Sequence, residues 1–361
     1  MAGLRAIRHG KANKNLPIRK ILVVQTGKLG DMVCTTPVLR ALKTIPNCEV
    51  WVLGNAINEQ ILAHSGLLDG YISYTASEKE IFKNIQNHNF DTALLAGPNA
   101  RVLSWLYQAG IPRIVTPKIV NGRSPFETIS YKILAMLTIQ MPHSMTSYAP
   151  REYLRLLEPL GITTDDTYKT LNFSPEARQT LENFFHEHNL SPEDRVIGIT
   201  PSAGNKIKLW GAEKFAKLAD TLVEHHDAKI IVTGSSNDKN EVQAMLSHIQ
   251  HKDSVIDTLT AFSIDELKAL IARLSLFIGV DTGPIYIAEA FGVPTVDIVG
   301  PMDENNQPPR GEKHRVVFAD VPGRPFLRVM NARIYDAQGA RLATDKISVD
   351  MVMREVEAVL S

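Results

Sequence analysis

The chain is 361 residues long, enough at about 150 residues per domain for two domains with separate cores. Hydrophobic residues make up 44% and charged residues 22%, ordinary globular usage that excludes a disordered, collagen-like or coiled-coil chain. Lys and Arg total 39 against 39 Asp and Glu, a formal charge of zero, so no global field recruits nucleic acid and any anion site must be local.

Residues 1 to 20 carry Arg5, Arg8, Lys11, Lys14, Arg19 and Lys20 and no acid. Two readings of this arm stay open, a solvated terminus and a contact with an anionic membrane surface. The apolar run Ile21 to Val24 is too short for a signal-peptide core, and no run approaches the roughly 18 residues of a membrane helix. Two cysteines, Cys34 and Cys48, are too few for a disulfide framework and lack zinc-binding spacing, so a reducing cytoplasm is expected.

Short β-rich runs then alternate with helical patterns: ILVV at 21 to 24, EVWVL at 49 to 53, YISY at 71 to 74 and TALL at 92 to 95. The stretch from 97 to 130 reads as irregular. A boundary is expected near 170 to 193, where Ser174-Pro175 and Ser191-Pro192 flank a helix with Leu181, Phe184 and Phe185. The theme repeats with VIGIT at 196 to 200, KIIVT at 229 to 233, LFIGV at 276 to 280 and TVDIV at 295 to 299. Such alternation predicts α/β architecture with two parallel-sheet domains. Between Ala212 and His226, Phe215, Leu218, Ala219, Leu222 and Val223 form one core-facing stripe. Ser263 and Glu266 read as a capping box opening a helix through Arg273. The expected division is an arm at 1–20, domains at 21–175 and 176–345, and a closing helix at 346–361. Open parallel sheets bind ligands at the carboxyl ends of their strands, so a cleft between two such domains is the expected site.

Four strand-end loops carry candidate chemistry. Gln25-Thr-Gly-Lys-Leu-Gly-Asp31 follows the first strand and precedes a helix whose cap is read as Thr36, with Pro37 in its first turn. Asp31 there either takes a proton from an attacking hydroxyl or satisfies backbone N–H groups of the turn. Pro201-Ser-Ala-Gly-Asn-Lys-Ile-Lys-Leu-Trp210 offers small residues and two lysines to a phosphate, although loop lysines are ordinarily just solvated and Trp210 reads equally as a packing anchor. Asp281-Thr-Gly-Pro-Ile-Tyr-Ile-Ala288 places a hydroxyl and N–H groups at a helix start, or is an ordinary Asp cap with a turn glycine. Gly234-Ser-Ser-Asn-Asp238 offers an acid to ribose hydroxyls, or is a solvated turn. None is a P-loop, and no GxGxxG follows a predicted strand, which argues against a nicotinamide dehydrogenase.

In order along the chain, ILVVQTGKLGDMVCTTPVLRALK, PSAGNKIKLWGAEKFAKLAD and GVDTGPIYIAEAFGVPTVDIVGP, with YAPREYLRLLEPLGI at 148 to 162, resemble glycosyltransferase family 9, the lipopolysaccharide heptosyltransferases. The likeness runs from about Lys20 to Pro301. It implies a GT-B fold of two facing Rossmann-like domains, the first for the acceptor and the second for an activated sugar nucleotide. Asp31 would be the general base and Lys208 the cation on the diphosphate. Asp281, Thr282 and Gly283 would form the donor-phosphate segment, Ser202, Ala203 and Lys206 would lie beside it, and Asp238 would stand near the nucleoside. Tyr286 occupies a position where the family usually has His, and tyrosine is not cationic at neutral pH. Gly30, Arg101, Lys118 and Arg123 are the acceptor candidates.

The activity implied is inverting transfer of a sugar, heptose from ADP-heptose being the family's commonest case, to a lipopolysaccharide core or related glycolipid. No metal or cofactor is required beyond the nucleotide sugar, no nucleic-acid partner is expected, and a cytoplasmic enzyme peripheral to the inner membrane would fit. A sugar-nucleotide-binding protein without transfer activity, and a family member using another donor, are the alternatives.

Overall fold

Runs rich in Val, Ile and Leu that alternate with amphipathic helices can satisfy their backbones and bury both faces only as parallel strands covered by helices. The computed structural model, which describes residues 17–330 and 337–361, has this architecture twice. Arg5, Arg8, Lys11 and Lys14 of the basic arm lie outside the described residues.

The chain divides into two units. Unit 1 comprises Met1–Leu171, Asn305–Gln307 and Arg328–Arg333; unit 2 comprises Asn172–Glu304, Pro308–Leu327 and Ile334–Ser361. In unit 1, β1 (Lys20–Gln25), β2 (Glu49–Gly54), β3 (Gly70–Ser73), β4 (Thr92–Leu95), β5 (Arg113–Val120) and β6 (Ile139–Ser144) form a sheet in the order β3-β2-β1-β4-β5-β6. In unit 2, β7 (Val196–Thr200), β8 (Lys229–Val232), β9 (Val255–Asp257), β10 (Leu276–Val280), β11 (Thr295–Ile298) and β12 (His314–Val317) follow the order β12-β11-β10-β7-β8-β9. Every pairing is parallel. Strand order reverses beside β1 in one sheet and beside β7 and β10 in the other, the position at which doubly wound sheets bind ligands.

The region read as irregular from 97 to 130 is instead structured, containing a helix at Ala100–Gln108, all of β5 and the start of a helix at Ile129–Ala135. Pro117 obscures β5, since proline removes a ladder donor. It is tolerated because β5 pairs with β4 only through Val115, so Pro117 has outrun that neighbour. β6, β9 and β12, of six, three and four residues, are also additions to the predicted set.

The amphipathic helix forms at Ala212–His226, burying Phe215, Ala216, Leu218, Ala219 and Leu222. The capping box forms as well: Ser263 Oγ accepts from Glu266 N, and the helix it opens spans Ile264–Ile271. Trp210 is buried, its Nε1 donating to Ile347 O at 2.8 Å, so it anchors the segment leading into the terminal helix Val349–Leu360. Both cysteines are buried and unbridged. No described helix is long and apolar enough to cross a membrane.

Candidate active site

Two groups of side chains gather at strand ends, one in each unit. In unit 1, β1 ends at Gln25 and the chain turns through Thr26–Lys28 into a short helix, Leu29–Val33, with Asp31 in its first turn. The cap of the following helix Thr36–Lys43 is Thr35 rather than Thr36. The Thr35 hydroxyl donates to Asp31 O at 2.8 Å and accepts from Gln25 Nε2 at 3.0 Å, while that of Thr36 donates to Val33 O.

Asp31 is half-buried. Its Oδ2 accepts from Lys28 N at 2.8 Å and its Oδ1 from Gln307 Nε2 at 3.3 Å. The turn-satisfying role is therefore real, and it fixes the carboxylate at the carboxyl edge of the sheet. Gly27 is required by close approach: a Cβ there would lie 2.5 Å from Asp31 Oδ2 and 2.8 Å from Gln25 Oε1. Asn55 Nδ2 donates to Thr26 O and Gly27 O, and buried Asn58 donates to Gly27 O at 3.0 Å. Buried Tyr153 completes the surroundings; desolvation, then the Asp31 charge, holds its phenol well above the usual range. Asn306 ties in the segment that carries Gln307, donating to Ser147 O at 2.8 Å and accepting from Val329 N at 2.9 Å.

The acceptor candidates scatter more widely. Gly30 is buried inside the short helix. Arg101 pairs with Glu78 at 2.6 Å, Lys118 lies exposed on β5, and Arg123 lies exposed in the loop after it.

In unit 2, β10 delivers Asp281 to the start of the helix Gly283–Ala290, whose N-cap residue is Thr282. Lys208, at the end of the single turn Lys206–Lys208, donates from Nζ to Asp281 O at 2.8 Å and to Asp281 Oδ2 at 2.6 Å. Tyr286, one turn into the helix and buried, donates its hydroxyl to Asp281 Oδ1. An ammonium group has three donors; two orient on Asp281, leaving one for a ligand. Tyr286 thus acts on the carboxylate that aims Lys208.

Thr282 and Gly283 are half-buried at the helix start, where the first N–H groups and the helix dipole favour an anion. Ser202 and Ala203 are buried behind β7. Asp238 accepts from Ser235 N at 2.8 Å and Ser235 Oγ at 2.6 Å. Burial pushes the Asp238 carboxyl up, but hydrogen bonds from Ser235 and Ser202 bring it below its ordinary value. Lys206 turns away from Asp281 to pair with Glu241 at 2.6 Å. Among the described residues no group of three or more His, Cys, Asp or Glu is placed to hold a metal ion.

Asp297 is an acid that the sequence reading passed over. It sits on β11, in register with Gly279 of β10, is fully buried, and among the described residues neither carboxyl oxygen has a hydrogen-bond partner. Desolvation first, then the charge of Asp281, holds its carboxyl well above the usual range against the opposing pull of Lys208. Folded Asp297 keeps a proton that the unfolded chain loses near pH about 4, so its contribution to stability declines as pH rises above that value. In Asp297→Asn this slope is absent. The melting-temperature difference, variant minus wild type, should therefore increase from about pH 5 to about pH 8; parallel curves would contradict the assignment.

A family model described as "Glycosyltransferase family 9 (heptosyltransferase)" matches residues 80–331. The chain is 29% identical over 285 residues to a lipopolysaccharide heptosyltransferase 3 of Escherichia coli K12, covering 76% of this chain and 80% of that one. Among solved structures it resembles a glycosyl transferase family 9 protein of Veillonella parvula, with a TM-score of 0.78 at 22% identity, covering 96% of this chain and 98% of that one. It also resembles the E. coli ADP-heptose LPS heptosyltransferase II, with a TM-score of 0.73 at 19% identity, covering 94% and 98%. At these identities the solved structures speak for the fold, which is GT-B, and the family match extends over well over half of the chain. Together with the strand-end carboxylates and the lysine held on Asp281, these matches identify the chain as a member of glycosyltransferase family 9, the heptosyltransferases.

Proposed function

We propose that the protein is an inverting glycosyltransferase that moves a heptose from ADP-heptose to a lipid-linked saccharide of the lipopolysaccharide core, working at the cytoplasmic face of the inner membrane. Unit 1 takes the acceptor and unit 2 the donor. Asp31 removes the proton of an acceptor hydroxyl as its oxygen bonds to the anomeric carbon from the face opposite the leaving group. The bond from that carbon to the diphosphate oxygen breaks, and the nucleoside diphosphate leaves with the electron pair.

Charge builds on the diphosphate as this bond breaks. Lys208 and the N–H groups following Thr282 stabilise it, donors fixed before the reaction and so needing no reorganisation during it. Ser202 and Ala203 supply a close-packed backbone beside the phosphates, Asp238 a carboxylate for the nucleoside, and Tyr286 the hydrogen bond that steadies Asp281. Lys206 adds a cation at the rim, while Gly30, Arg101, Lys118 and Arg123 form the acceptor side. The observation that carries this reading is the doubly bonded Lys208–Asp281 pair at the mouth of the helix Gly283–Ala290.

A thermal-shift screen across ADP-, GDP- and UDP-sugars tests the donor. ADP-heptose should raise the melting temperature with concentration, by the equivalent of about 2.7 kcal/mol at a hundredfold excess over Kd. Stabilisation by a GDP- or UDP-sugar alone would instead assign a different donor.

A further inference from the structure

We propose that Gln307 is a positioning residue for the reaction, its side-chain amide fixing the Asp31 carboxylate in place and favouring its ionised form; this rests on the reading of Asp31 as the base. Gln307 is 8% exposed, so its amide is desolvated and must find partners within the fold. Its Nε2 donates to Asp31 Oδ1 at 3.3 Å across 276 residues of sequence. Bonds to a catalytic group are often this long before substrate binds and tighten afterwards.

A carboxylate held at one oxygen still turns about its Cβ–Cγ bond. Lys28 N holds Oδ2 at 2.8 Å from within the local turn, and Gln307 holds Oδ1 from a separate segment, so the two together fix the plane. Donors to a carboxylate also favour its charged form, the form a base must have before it takes a proton. Lys28 engages Asp31 through its backbone while its side chain is exposed. The helix Ala149–Leu154 supplies the buried Tyr153 phenol, held well above its usual range by desolvation and then by the charge of Asp31. Buried Cys34 caps the helix that carries Asp31. Neither the phenol nor the thiol brings a positive charge, so an amide donor matters here.

The neighbours of Gln307 aim this amide. Asn305–Gln307 belongs to unit 1, although Glu304 and Pro308 on either side belong to unit 2. Asn306 pins the segment: its main-chain O accepts from Ala149 N at 2.7 Å, its Nδ2 donates to Ser147 O at 2.8 Å and its Oδ1 accepts from Val329 N at 2.9 Å. Pro308 and Pro309 follow Gln307, and a residue before proline is confined to extended backbone. The bonds of Asn306 already anchor the segment, so the amide of Gln307 is surplus to that anchoring and is spent on Asp31.

Variants of opposite charge test this. Gln307→Glu replaces the donor with a second carboxylate, Gln307→Lys keeps a donor and adds a positive charge, and Gln307→Met keeps the length without the donor. The rate read is kcat/KM for nucleoside diphosphate release from ADP-heptose with a heptose-accepting glycolipid. The midpoint of its acid limb should rise by about one pH unit in Gln307→Glu and fall by about one in Gln307→Lys, with a smaller rise in Gln307→Met. The Asp31 carboxyl, followed by carbon-13 NMR of aspartate-labelled protein and assigned by its loss in Asp31→Asn, should titrate in the same order. That order, Lys below wild type and wild type below Met and Glu, is read from whichever variants fold. Carboxyl midpoints that stay at the wild-type value, or that all move in one direction with Lys among them, would overturn the proposal, because a merely structural glutamine changes melting temperature and rate without ordering midpoints by charge. A carboxyl titration that follows the order while the rate limb stays fixed supports the hold of Gln307 on the carboxylate and refutes Asp31 as the base. Release absent from the wild type refutes the catalytic reading, and the carboxyl titration still decides the role of Gln307.

Discussion

Lys208→Met is expected to lower turnover by about a hundred- to a thousandfold, the usual loss when one preorganised donor is removed from a developing oxyanion. The same substitution should cost stability. Asp281 has 2% side-chain exposure and Lys208 16%, and truncating one partner of a buried pair leaves the other charge uncompensated, at about 3–5 kcal/mol. The two effects separate in the double variant Lys208→Met/Asp281→Asn. With the orphaned charge removed, most of the melting temperature should return, because Tyr286 can still donate to the amide oxygen that replaces Asp281 Oδ1. Turnover should not return, since the preorganised ammonium of Lys208 is still missing. A double variant that regained both would make the pair a packing device.

How much of this was legible before the structure depended on how far apart the interacting residues lie in sequence. The central strands were readable because Ile21 to Val24, Ile230 to Val232 and Leu276 to Val280 are apolar runs buried on both faces, and parallel strands need that composition. The Ser263 capping box was readable because its two halves are three residues apart. β5 was not, since Pro117 contradicts strand chemistry until its neighbour β4 is seen to stop short.

The site divides in the same way. Asp31, Lys208 and Asp281 announce themselves as polar residues in the segments that follow apolar strands, Asp281 directly after β10 and the other two a few residues further on. Gln307 bonds to Asp31 from 276 residues away, and no local pattern could find it. Asn55 and Asn58 hold the turn at Gly27 from the end of the adjacent strand; an asparagine directly after β2 was the available signal. Asp297 left a plainer one, an acid inside the otherwise apolar run Thr295–Val299. Tyr286 was noticed as a departure from the family's histidine, but only the fold connects its hydroxyl to Asp281.

Asp31→Asn carries the other large effect. The amide keeps the shape of the carboxylate and its oxygen can still accept from Lys28 N, so the turn should persist. The helix start loses a favourable negative charge worth about 0.3–1 kcal/mol. What the amide cannot do is take a proton, and loss of a general base costs about 10²–10⁴ in rate. Donor affinity should be untouched, because every residue assigned to the donor belongs to unit 2 and Asp31 to unit 1. The decisive measurement is therefore nucleoside diphosphate release from ADP-heptose in the presence of a heptose-accepting glycolipid, read beside donor affinity for wild type and Asp31→Asn. The expected result is one diphosphate released per sugar attached by the wild type, with the variant binding donor equally well but releasing at least about a hundredfold more slowly. A variant that turns over within a few fold of the wild type would contradict the account.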